Sequence, residues 1–190
     1  MPLTQAQADD LYIINSLAKY LNAAVKVPYD TFVAGLTDPV TGWNTPLKIA
    51  DGSPDDPDIA LDPPKIAIDC IETSNKDADY GIGTNIRLRT FNFVLYCYPS
   101  LTNGGLPNKA AMIKLQSLLK NALSGVNIRV VDYGNAGYSP SNVIYTGEVM
   151  TLRRVSGPMP RGKQTSLPQE RHRFDFHIHV DYPVFEAFSN

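Results

Sequence analysis

The chain has little of what catalysis or metal binding usually requires. Among its 190 residues are two cysteines and three histidines. Two cysteines are too few for a cysteine-based structural zinc site. Cys70 and Cys97 both stand inside apolar, strand-like runs, so two buried, reduced thiols are expected rather than a disulfide. No apolar run approaches the roughly 18 residues that cross a bilayer, and Asp9 and Asp10 stand where a signal peptide carries positive charge. The expectation is a soluble protein made in a cytoplasm, without a membrane partner. There is no Gly-x-Ser-x-Gly elbow for a nucleophilic serine and no Walker-type Gly-Lys-Ser/Thr run. Gly81-Ile82-Gly83 lacks the third glycine and the following helix of a dinucleotide loop. A formal charge of −2 leaves no broad basic footprint of the kind that neutralises duplex phosphates, which disfavours sequence-specific DNA binding. Nothing here recommends an enzyme, and neither catalytic residues nor a cofactor are expected.

What is present organises itself around the last long segment, Arg171-His172-Arg173-Phe174-Asp175-Phe176-His177-Ile178-His179-Val180-Asp181-Tyr182-Pro183. Side chains alternate across a strand, so Phe174, Phe176, Ile178 and Val180 share one side. Arg173, Asp175, His177, His179 and Asp181 share the other. The first side reads as core and the second as wet or subunit-facing. A strand of this length with one apolar face requires a sheet beside it and a layer over it.

The preceding chain supplies both. Thr4 caps a first helix to about Ala24, with Leu11, Ile14, Leu17, Ala18 and Leu21 on one face and Pro28 as its end. Residues 28–64 carry seven prolines and an acidic patch at Asp51, Asp55, Asp56 and Asp58. So long a stretch without periodicity reads as a functional excursion or interaction arm. Trp43 within it either anchors the arm to the body or contacts a neighbouring subunit. Lys65–Glu72 alternates as a strand, followed by a polar loop through Gly81 and Gly83. Ile86–Tyr98 is a longer strand, with Phe91, Phe93, Leu95 and Cys97 on one face and Arg87 and Arg89 extending it. A second helix at about 107–123 buries Met112, Leu115, Leu119 and Ala122 and stops at Gly125. Val126–Val131 is a short strand and Asp132–Tyr138 a turn-rich loop. Val143–Val155 is a long strand with Gly147 marking a bulge, and Ser156–Glu170 is a polar loop with Arg161 and Lys163 near its tip. The whole reads as one α+β domain, 1–190, with two helices packed on an antiparallel sheet of mixed strand lengths.

Asp175, His177 and His179 share a strand face, and imidazole with carboxylate suits zinc, iron or copper. Alternate positions on any polar strand face coincide in this way, so no metal is expected.

The order helix, two strands, helix, three strands resembles the tail terminator proteins of long-tailed bacteriophages. Besides segment order, the resemblance rests on Gly147-Glu148-Val149-Met150-Thr151-Leu152-Arg153-Arg154 and Arg171-His172-Arg173-Phe174-Asp175-Phe176. It covers roughly residues 65–183 and the N-terminal helix. The resemblance implies a virion protein assembled in the host cytoplasm. Its subunits would form a hexameric ring that caps the tail tube protein and meets the head–tail connector or neck proteins while double-stranded DNA passes through. A mildly acidic balance suits such passage, because a basic lumen would hold phosphates. Trp43, Asp55, Asp56, Arg153, Arg161, Lys163, Arg173 and Asp175 are the expected interface residues, since rings need heterologous contacts between unlike patches. Another head–tail connector or baseplate component remains as the alternative reading, with a cellular enzyme or a binding module sited in 28–64 behind it.

Overall fold

The structure, a computed structural model, describes residues 5–36, 46–51, 64–79, 85–100, 108–161 and 173–185. The chain opens with α1, Gln5–Leu21, passes through a π-helical turn at Asn22–Lys26 and continues as α2, Val27–Ala34. These three pieces form one rod, contrary to the expectation that Pro28 ends the first helix. The π turn explains the difference. The Val27 N–H reaches five residues back to the Asn22 carbonyl, so Pro28 opens a new helical segment, where its missing N–H is not needed.

The same turn corrects the expected apolar face. Ile13, Leu17, Leu21, Val25, Tyr29 and Val33 are all buried, whereas Leu11 is largely exposed and Ile14 only half-buried. A four-residue step drifts by about 40° on an α-helix, and a wider turn takes back part of that drift. One stripe therefore stays against the core along the whole rod.

β1 is Lys48–Asp51, β2 Lys65–Asp79 and β3 Asn85–Tyr98. α3, Lys109–Leu123, is capped by Asn108, whose Oδ1 accepts the Ala111 N–H at 3.1 Å. β4 is Asn127–Val131, β5 Tyr145–Arg161 and β6 Arg173–Phe185. The strands form one mixed six-stranded sheet in the order β1-β2-β3-β6-β5-β4, curled into a half-barrel. β1 runs parallel to β2, where an antiparallel sheet was expected. Residues 52–64 join the two, a connection long enough for the chain to re-enter in the same direction.

Two ladders outrun their expected ends. β2 and β3 pair from Lys65↔Tyr98 out to Asp79↔Asn85, across the stretch read as a polar loop. Pairing is made by backbone groups, so a polar run joins a ladder as readily as an apolar one. β5 likewise continues past Val155 to Arg161, with a register shift against β6 between Ser156 and Met159. Gly157 sits in that shift at φ +135, a conformation that disfavours any side chain, and the peptide bond to Pro158 is cis. A Cβ at Gly157 would stand 2.7 Å from the Asp175 carbonyl oxygen and 2.9 Å from the Phe176 ring. Gly147 lies in a second irregularity, between Arg129↔Val149 and Val131↔Tyr145, where a bulge was expected.

The apolar faces meet as read. Phe174, Phe176, Ile178 and Val180 of β6 join Phe91, Phe93, Leu95 and Cys97 of β3, under Leu115 and Leu119 of α3 and the rod's buried stripe. The rod packs against both edge strands, β1 and β4, and so lies across the open side of the curl.

Candidate functional site: the ion-paired face of the sheet

β6 is flanked by β3 and β5, so its non-core face is ringed by side chains from both neighbours. The register sets Asp181 across from Thr90 on β3 and Thr151 on β5, and His179 across from Asn92 and Arg154. Asp181 is the hub. Its Oδ1 accepts the Thr90 hydroxyl at 3.2 Å, its Oδ2 accepts the Arg153 Nε–H at 2.8 Å, and His179 Nε2 stands 3.4 Å from Oδ1. His179 Nδ1 lies 2.8 Å from Asn92 Oδ1, so this ring bridges two strands.

Towards the start of β6, Arg173 and Asp175 form a second pair. Arg173 Nε lies 3.0 Å from Asp175 Oδ1 but off the hydrogen-bonding axis, so charge rather than an aligned N–H holds it, with a long Nη2 contact of 3.4 Å to Oδ2. The Arg173 guanidinium also sits 4.7 Å over the Tyr96 ring. Asp175 is 1 % exposed and Asp181 9 %. Of the two readings of this face, wet or subunit-facing, the first does not hold for its carboxylates, which are covered, while Arg173, His177 and His179 are half-buried. Cys97, buried among the core residues of β3, feels the same pair: burial first, then the charge of Asp175, pushes its thiol well above the usual range and keeps it protonated and inert. Cys70 is half-buried and also a free thiol.

This arrangement braces neighbouring strands. The Asp181 carboxylate is already occupied by donors from β3 and β5, with the His179 ring beside it. Among the described residues no group of three His, Cys, Asp or Glu side chains converges as a metal-binding set. His177 Nε2 is buried without a hydrogen-bond partner.

The expected interface residues fall into three groups. The structure brings Arg173 and Asp175 together within one chain, and pairs Arg153 with Asp181. Arg161 is the final residue of β5. Trp43, Asp55, Asp56 and Lys163 lie outside the described residues. Sequence reasoning missed Thr90, Asn92 and Asp181 as partners. The alternation put Asp181 on this face, but nothing local shows which residue of another strand stands opposite.

The turn-rich loop expected between β4 and β5 is present, and the contacts that order it were not foreseen. The Asp132 N–H donates to the Ile144 carbonyl at 2.9 Å and closes its neck. Ser139 and Asn142 exchange backbone hydrogen bonds at 2.9 Å each, and the Asn142 amide donates to the Gly137 carbonyl at 2.9 Å. Tyr133 packs between Tyr12 of α1 and Tyr138, with centroids 6.4 and 4.8 Å away, and donates its hydroxyl to the Asn15 carbonyl at 3.1 Å. Burial and the neighbouring Tyr138 push the Tyr133 hydroxyl up to about 12. Gly134 passes so close to Tyr12 that a Cβ there would meet its hydroxyl. Small, self-bonded loops of this kind present a preformed surface.

Compared with known proteins, the chain matches no family model and no curated protein.

Proposed function

We propose that the chain is a structural subunit of a long-tailed bacteriophage virion, a tail terminator or neck ring joining the tail tube to the head connector. The observation that carries this reading is the order of elements. A helical rod and, after the short β1, the β2–β3 hairpin, α3 and the three strands β4, β5 and β6 follow one another; β1 apart, this is the order on which the resemblance rests. The acidic balance is compatible with DNA sliding through a ring, since a net positive charge would hold its phosphates. Tyr29, Val33 and Leu47 are core residues and 48–51 is a sheet strand, so the excursion expected over 28–64 is narrower. In this reading the parts of 28–64 outside α2 and β1, and the segment around Arg161 and Lys163, are contact surfaces, with opposite charges meeting between neighbours. Charge pairing of that sort sets register and specificity more than affinity.

Purified protein examined by negative-stain microscopy and light scattering is expected to form closed rings of about six copies, as the resemblance implies. Co-purification with tail tube protein on one side and connector protein on the other separates a terminator from another virion connector. A protein that stays monomeric at all concentrations and binds neither would overturn the assembly reading.

A further inference from the structure

The edge of the sheet at β4 differs from the paired face in that its cations are left open. The Leu152 N–H donates to the Val126 carbonyl at 3.1 Å, which makes 126 and 152 a hydrogen-bonded pair. Antiparallel pairs alternate, so Asn127 and Arg129 turn their backbone N–H and C=O groups away from β5. Val131 turns the same way, and there Ser16 of α1 takes its N–H at 2.9 Å. Beyond Ser16 the helix presents Lys19, Tyr20 and the small Ala23, leaving a groove of ≈ 270 Å³ between α1 and the outward side of β4. Its walls are fixed: the Tyr20 hydroxyl donates to the Ala122 carbonyl at 2.6 Å, and the Arg129 guanidinium lies 3.8 Å from the centre of the Tyr145 ring. A guanidinium stacked on a ring keeps its N–H edge available to a carboxylate. Neither Lys19 nor Arg129 forms an ion pair among the described residues.

An unpaired strand edge flanked by two cations fits an extended, acidic segment. We propose that the occupant is the acidic stretch 51–58 of a second copy of this chain. The inference rests on the ring reading above and names its contact. Residues 49–64 contain Asp51, Asp55, Asp56, Asp58 and Asp62 and no lysine or arginine. Pro54 and Pro57 each fix their own φ and bias the residue before them away from the helical region, which lowers the entropy lost on docking. β1, which ends at Asp51, and β4 occupy opposite ends of the strand order. In a head-to-tail row of copies the acidic stretch of one would meet the basic groove of the next by charge complementarity, the heterologous contact that closes a ring.

The test is a charge exchange in the full chain. One variant carries Lys19→Glu and Arg129→Glu, the other Asp55→Lys, Asp56→Lys and Asp58→Lys, and each is checked for a wild-type thermal melt. Each alone places like charges at every contact and is expected to elute at monomer mass. An equimolar mixture allows alternating contacts and is expected to recover the wild-type oligomer mass. A labelled peptide of residues 51–63 is expected to bind wild-type protein with at least tenfold loss on Arg129→Gln, a milder change that spares the fold. Variants that assemble alone, a mixture that stays monomeric, or a peptide indifferent to Arg129 would each overturn the inference while leaving the ring reading intact. A monomeric wild type would remove both.

Discussion

The two faces of β6 are held by different means, the apolar one fully buried and the polar one only in part. On one, Phe174, Phe176, Ile178 and Val180 exclude water by packing against β3 and the helices. On the other, Arg173, Asp175, His179 and Asp181 tolerate burial because each charge or ring has a partner on its own or the next strand. The first kind of contact gains from area alone and accepts many apolar sequences. The second gains little net energy but penalises any change that leaves one partner behind. A polar strand face is thus a statement about chemistry, and its exposure depends on what the neighbouring strands bring.

Three substitutions sharpen this contrast. The largest effect is expected at the apolar face: Phe176→Ala empties a fully buried aromatic site and should cost about 3–5 kcal/mol. Chemical denaturation would read this as a lower midpoint with little change in slope, and an unchanged midpoint would mean that the core lies elsewhere. Next, Asp175→Leu strands the Arg173 guanidinium and should cost about 3 kcal/mol, whereas Arg173→Leu with Asp175→Leu should recover most of that. A double variant as unstable as the single would show that packing rather than pairing holds this face together. The smallest effect belongs to Arg153→Ala. Its side chain is 61 % exposed, so losing its contact with Asp181 should cost no more than about 1 kcal/mol. A loss as large as that of the buried pair would mean that Arg153 is covered in the assembled protein, which ring formation by the variant would then reveal.

Much of this architecture is legible locally. The alternation in 174–180 locates the core face, and the apolar spacing within about 107–123 and the stop at Gly125 locate α3. The reading failed where one local signal competes with another. Pro28 reads as a helix end, but a π turn ahead of it lets the helical rod continue, so Tyr29 and Val33 reach the core. The run 73–79 reads as a loop because its side chains are polar, yet its backbone pairs with β3. The candidate site was half legible: Arg153, Arg173 and Asp175 were singled out, while Asp181, Asn92 and Thr90 were not paired with anything.

The sequence by itself determined the class and order of the principal elements, though neither α2 nor the short β1, and which side of each principal strand is apolar, because those depend on residue spacing along a few turns or pleats. Only the tertiary structure decided which strands are neighbours, that β1 enters parallel, and that charges on β6 are neutralised within the chain. It also decided that Lys19 of the first helix stands beside Arg129 of β4, more than a hundred residues later. Such partnerships depend on register between distant segments, and a one-residue shift in pairing would turn every one of these side chains to the opposite face.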